Sequence, residues 1–250
     1  MRLDLVAVAP HPDDSEIGCG GTLALAARHG YRVGIIDLTD GEPTPLNDTP
    51  EVRLAEARRA AEILGIHVRE VLDLDNRRLF DTFEARIALA RLFRKYRPRV
   101  VISMGGRTVM ASPDHYQAQL ICEAAVFYSR LTRWEEYFHP YPPHSVERMV
   151  YWPVRSDPGG DLPRHAFVVD ITETYQTKVA AVRAYRSQFP PGKDRIFAHI
   201  EGAARFYGVR SGCTCGELFL SDRYLRFDDV MDLLGGAGGE GEYPRRSAPG

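Results

Sequence analysis

Two short stretches of this 250-residue chain concentrate side chains able to do chemistry. The first is Pro10-His11-Pro12-Asp13-Asp14-Ser15-Glu16, where two prolines stiffen a segment carrying a histidine and two adjacent carboxylates. Crowding such groups is costly unless a cation compensates them. His11 and Asp14, three apart, can converge on one divalent ion, whereas Asp13 must point elsewhere and is left free to act as a base. The second stretch is Ser112-Pro113-Asp114-His115. A catalytic zinc site needs three nitrogen or oxygen ligands and one position open to water, and His115 is the best candidate for the third ligand. Each stretch also has a plainer reading. The first could be a turn with an Asx cap, and the second a helix start in which Asp114 is favoured by the dipole. Their placement at one sheet edge is what favours the metal.

That placement follows from the surrounding pattern. Short β-branched runs at 3–9, 32–39, 68–72 and 99–103 alternate with amphipathic stretches at 21–29, 50–64, 83–96 and 114–130. This is the signature of an α/β fold with a Rossmann-like, doubly wound, mostly parallel sheet in a single domain. Thr49 as N-cap, Pro50 at the first helical position and Gly65 as a stop punctuate the second helix. The first stretch directly follows a strand and the second lies just past one, both at the carboxyl edge where open α/β sheets bind ligands. A Pro-rich excursion over the site is expected at 132–164, with a strand at 149–154, another at 166–171 and a helix at 172–189. Gly18-Cys19-Gly20-Gly21 lacks the spacing of a dinucleotide loop and reads as room for the first helix to pack closely beneath the metal loop.

On Ala9-Pro10-His11-Pro12-Asp13-Asp14-Ser15-Glu16-Ile17-Gly18, Asp37-Leu38-Thr39-Asp40-Gly41-Glu42, Pro113-Asp114-His115, Val169-Asp170-Ile171 and Ala184-Tyr185-Arg186-Ser187-Gln188-Phe189, the chain resembles the PIG-L/LmbE-like zinc N-deacetylases. Within them it is most similar to the branch that deacetylates N-acetylglucosaminyl malate in bacillithiol biosynthesis. The resemblance covers about residues 1–225 and implies one Zn2+ per chain held by His11, Asp14 and His115, with Asp13 as general base. It also implies sugar contacts from Arg53 and from the turn Asp75-Asn76-Arg77, where the family's aspartate falls on Asn76. The position three before the last ligand, a histidine in the family that stabilises the oxyanion or assists as an acid, is Ser112 here. A serine hydroxyl can donate a hydrogen bond but cannot carry positive charge, and before a proline at a helix start its common role is the N-cap. Either Asp13 handles both proton transfers, or another histidine such as His144 or His165 enters, or the activity is reduced or redirected.

Composition narrows the partners. Hydrophobic residues make up 44% and charged residues 26%, with 32 basic against 34 acidic side chains, which excludes disorder and any global attraction to nucleic acid. No apolar run approaches the length of a membrane span. The expected partner is a small amino-sugar molecule, the expected location the cytoplasm, and a homo-oligomer is neither required nor excluded. The four cysteines are too sparse for a disulfide framework, and Cys213 and Cys215 read as two ordinary thiols. Two rivals to the deacetylase reading stand: a metal-binding or sugar-binding homologue without turnover, and a zinc amidase for a different N-acyl substrate. Residues 1–234 form the expected deacetylase domain and 235–250 a flexible Gly-rich tail with no apolar periodicity with which to dock. Truncation after Leu234 should therefore leave the melting temperature and activity unchanged; a clear loss of either would show that the tail packs on the body.

Overall fold

The computed structural model describes residues 1–47, 49–107, 111–154 and 165–226; the Gly-rich tail lies outside the described residues. A seven-stranded sheet runs in the order β3-β2-β1-β4-β5-β7-β6. Its strands are β1 (Leu5–Ala9), β2 (Val33–Asp37), β3 (Val68–Val71), β4 (Val100–Gly105), β5 (Arg148–Pro153), β6 (His165–Asp170) and β7 (Gly216–Ser221). The first five are mutually parallel, and β7 runs antiparallel between β5 and β6. The helices are α1 (Asp14–Arg28), α2 (Pro50–Leu64), α3 (Phe83–Tyr96), α4 (Pro113–Tyr128), α5 (Glu135–Phe138), α6 (Tyr175–Arg183) and α7 (Arg195–Arg210).

Strand β1 shows why the fold is wound on both sides. Val6 and Val8 face a core with α3 and α4, while Leu5, Ala7 and Ala9 face a second core with α1, α2 and α6. Alternate side chains of one strand thus bury against two helical layers. Strand β1 pairs with β2 on one side and β4 on the other, so the order reverses at β1. The segments following β1 and β4 meet at this switch point, as the expected neighbourhood of the two strands requires.

Several elements depart from the sequence reading. Helix α1 starts seven residues earlier than expected, at Asp14, and bends at Cys19 (φ −139°, ψ 17°). Beyond the bend, Glu217 of β7 accepts hydrogen bonds from Gly21 N (3.0 Å) and Thr22 N (2.8 Å), capping the second segment. Helix α6 spans only Tyr175–Arg183, because the chain then turns so that Tyr185 enters the core. Thr49 occupies the N-cap position of α2 without a capping bond; its hydroxyl donates to Asn47 instead. Helix α7 and strand β7 had no counterpart in the sequence reading.

The Pro-rich excursion is corrected over its described part; residues 155–164 lie outside the described residues. Residues 132–147 pack at the amino edge of the sheet, opposite the candidate site, where Arg91 and Arg94 of α3 donate to the carbonyls of Tyr137, His139 and Tyr141. His144 belongs to this end, with its Nε2 2.7 Å from Pro98 O. Among the described residues no helix is long and apolar enough to cross a membrane.

The glycines of α1 do supply close packing. A Cβ on Gly21 would lie 2.7 to 2.9 Å from the side chain of Ile171, itself fully buried. Gly21→Ala should lower unfolding stability by about 1–3 kcal/mol through overpacking, measured by urea denaturation. A neutral result would show that Ile171 can move aside.

Candidate metal centre

The loop after β1 is held before any ligand is considered. Pro10 O accepts from Thr39 N (3.0 Å) and Thr39 Oγ1 (2.8 Å), tying the ends of β1 and β2 together. Asp13 then adopts φ 116°, a left-handed conformation unfavourable for a residue with a Cβ and costing on the order of 1–3 kcal/mol. Arg53 of α2 over-determines that turn. Its Nε and Nη2 donate to Pro12 O (3.0 and 2.7 Å), Nη2 also to Asp13 Oδ2 (3.1 Å), and Nη1 to Gly41 O (3.2 Å). Nη1 further lies 3.6 Å from Glu42 Oε1. Gly41, at φ 78°, brings its backbone against the guanidinium, where a Cβ would collide. With its donors directed to these protein acceptors, buried Arg53 clamps the loop.

The strained turn directs two neighbouring carboxylates differently. Asp13 is buried beside Arg53, and burial raises its carboxyl well above the usual range despite that guanidinium. Asp14 faces the histidines: Oδ2 lies 3.0 Å from His11 Nδ1 and Oδ1 lies 3.6 Å from His115 Nε2. Burial would raise the Asp14 carboxyl, but the His11 hydrogen bond and the charges of His115 and His11 hold it below the usual range. The His11 and His115 rings are 5.6 Å apart. One potential ligand atom from each of His11, Asp14 and His115 lies within 4.8 Å of the others, a separation that one ion can bridge. Two imidazoles and a carboxylate are a donor set suited to a divalent ion such as zinc, so the residues fit the expected cofactor.

A second carboxylate, missed by the sequence reading, supports this set. Asp114 is 1% exposed, and its Oδ2 lies 3.1 Å from His11 Nε2 while accepting from Arg77 N at 2.7 Å. The signal lay in Pro113-Asp114-His115, where Asp114 was assigned only a dipole effect. Burial would lower the His11 pKa, but the bonds to Asp114 and Asp14 outweigh it and push the imidazole up to about 10. The pocket therefore favours positive charge. Held by Asp114 through Nε2, His11 presents Nδ1 toward Asp14, the arrangement in which a carboxylate fixes a metal-binding imidazole. Asn76, half-buried, belongs to the turn that Arg77 anchors on Asp114. Ser112 accepts from Asp114 N at 3.3 Å as the N-cap of α4.

Beneath the loop lies a buried network. Arg69 of β3 bridges Asp37 (2.7 and 3.1 Å) and Glu16 (2.5 Å), and Tyr185 donates to Glu16 at 2.8 Å. Burial raises Asp37 to about 6 although Arg69 opposes the shift. Gln188 reaches Glu42 and Thr44 (3.2 and 3.3 Å). These contacts explain why the 37–42 and 184–189 motifs accompany the loop.

Two cavities meet at His115. One, of about 330 Å³, adjoins Asp14 and His115 and extends between Trp152, Met104 and α7. The other, of about 470 Å³, is lined by Arg107, Ser112, Tyr116 and Gln117. Neither His144 nor His165 approaches the site: the first is bound to Pro98 O, and the second stacks on Tyr224 with ring centroids 4.3 Å apart. Besides His115, the first cavity's wall carries His199, on the unanticipated α7. The cysteines are free thiols, and Cys213 Sγ lies 3.5 Å from Cys215 O.

A buried acid beside a clustered donor set, at the switch point of a doubly wound sheet, defines an enzyme site of hydrolytic type. Comparison with known proteins narrows the class. Residues 6–126 match PIG-L, described as GlcNAc-PI de-N-acetylase. The chain is 28% identical over 218 residues to the diacetylchitobiose deacetylase of Thermococcus kodakarensis, covering 83% of this chain and 79% of that protein. It is 26% identical over 234 residues to the 1D-myo-inositol 2-acetamido-2-deoxy-alpha-D-glucopyranoside deacetylase of Actinosynnema mirum, covering 76% and 82%. The crystal structure of the conserved protein TT1542 from Thermus thermophilus superposes with a TM-score of 0.77 at 36% identity, covering 90% of this chain and 97% of that one. Residues 6–126 carry a PIG-L family domain, and the chain is an amide hydrolase.

If Asp114 orients His11, Asp114→Asn should weaken zinc binding about 10- to 100-fold in a folded protein, measured by competition with a chelator. An unchanged affinity would reduce Asp114 to an anchor for the 75–77 turn.

Proposed function

We propose that the chain is a zinc-dependent N-deacetylase that hydrolyses the acetamide of an N-acetylglucosamine-type conjugate, such as N-acetylglucosaminyl malate, and releases acetate. The observation that carries the reading is the convergence of His11, Asp14 and His115 within 4.8 Å next to a buried Asp13. His11, Asp14 and His115 would hold one zinc ion per chain. When bound, zinc supplies Lewis-acid polarisation and activation of water.

Asp13 takes the proton of the attacking water and returns it to the departing nitrogen. Its burial makes it a stronger base than an exposed aspartate, and Arg53 keeps the carboxylate aimed while the neighbouring Asp14 serves as a ligand. Ser112 lines the cavity on the far side of His115 and has a hydroxyl available to an amino sugar, as does the half-buried Asn76 side chain at the edge of the 75–77 turn. Residues 1–234 make up the catalytic domain.

The test is acetate release from N-acetylglucosaminyl malate beside plain N-acetylglucosamine, with and without added zinc. Asp13→Asn should keep the metal and lose roughly 10²-fold or more in turnover, whereas His11→Ala should lose both metal and activity. Loss of zinc from Asp13→Asn would instead make Asp13 a ligand and overturn the assignment.

A further inference from the structure

The cavity beside Asp14 and His115 is lined mainly by apolar side chains. Its walls include Met104 at the end of β4, Trp152 of β5, Leu218 of β7, and Ile196, Ile200 and Ala203 of α7. The charged pair on its wall is already satisfied: Lys178 Nζ lies 2.6 Å from Glu217 Oε1, and both Glu217 oxygens also accept from the backbone of α1. Beyond Asp14, His115 and that pair, only His199 and Tyr207 add polar side chains to the lining, so a hydroxylated ring placed there would exchange its water for few partners. At about 330 Å³ the space reaches the range of small-molecule pockets and far exceeds what a single methyl group fills. The cavity beyond His115, with Arg107, Ser112, Tyr116 and Gln117, is the more polar of the two.

We propose that the apolar cavity is an acyl pocket, so that the preferred substrates are N-acyl amino sugars with a linear acyl chain longer than acetyl. This rests on the deacylase reading of the same site. An amide whose carbonyl lies against His11, Asp14 and His115 has two ends; the polar cavity receives the sugar and the apolar one the acyl chain. In the reaction the amide C–N bond breaks and the oxygen of one water joins the carbonyl carbon. The products at neutral pH are a carboxylate and an ammonium, both water protons ending on the sugar nitrogen.

The chain-length dependence of kcat/KM tests this with N-acetyl-, N-butanoyl- and N-hexanoylglucosamine, and with octyl N-acetylglucosaminide as the opposite arrangement. Each methylene that enters the cavity should raise kcat/KM about fourfold, giving roughly 10²-fold from acetyl to hexanoyl. Ala203→Phe, which narrows the cavity from α7, should collapse the hexanoyl-to-acetyl ratio. A kcat/KM that falls with acyl length, or a larger gain from the octyl glycoside, would overturn the acyl pocket while leaving the deacetylase reading intact. If no substrate is turned over, the deacylase reading fails, and calorimetry of zinc-loaded protein with N-hexanoylglucosamine and N-acetylglucosamine decides the pocket. Tighter hexanoyl binding that Ala203→Phe weakens supports it, and equal affinities overturn it.

Discussion

The carboxyl edge of this sheet buries more carboxylate than the protein's own fixed cations neutralise. Asp13, Glu16, Asp37, Glu42 and Asp114 are buried and Asp14 is nearly so, facing the guanidiniums of Arg53 and Arg69. The two arginines divide the load. Arg69 takes Glu16 and Asp37; Arg53 takes Asp13 and Glu42. Asp14 and Asp114 are left with His11, whose imidazole they hold toward its charged form. Burying unmatched charge costs several kcal/mol per ion, and a divalent ion at His11, Asp14 and His115 would reduce the mismatch. The strained Asp13, the arginine clamp and the glycine contacts of α1 all serve to keep these groups in place.

How much of this was legible depended on the range of the contacts. The loop chemistry is local: two prolines, a histidine and adjacent aspartates within seven residues, following a strand whose apolar run is unmistakable. The pairing of β1 with β4 followed from general winding rules and brought His115 to His11. Asp114 and Arg69 were invisible because their partners are 103 and 53 residues away. In the sequence, Arg69 is an ordinary charge within a short strand. Arg53 carried an expectation inherited from the resemblance, and only the positions of Pro12 and Gly41 reveal its use as a clamp. Strand β7 eluded periodicity because all six of its residues are buried, leaving no alternation to read.

That blind spot matters for specificity. The α7 and β7 elements supply Ile196, Ile200, Ala203 and Leu218 to the cavity beside the donor set, and Glu217 also caps the bent helix on which Asp14 stands. The reacting groups come from the first half of the chain and the neighbouring apolar wall largely from the second. Relatives sharing the loop chemistry can therefore differ in what they accept, since a fold and its donor set constrain the reaction more than the substrate.

One divalent ion held by two imidazoles and a carboxylate would have a distinct scattering signature. X-ray absorption of the protein loaded with one equivalent of zinc tests this coordination most directly. The expected result is a nitrogen and oxygen shell at about 2.0–2.2 Å with the outer-shell scattering of two imidazoles, reduced to one in His115→Ala. A shell containing sulfur at about 2.3 Å, or an imidazole signal indifferent to both His11 and His115, would contradict it.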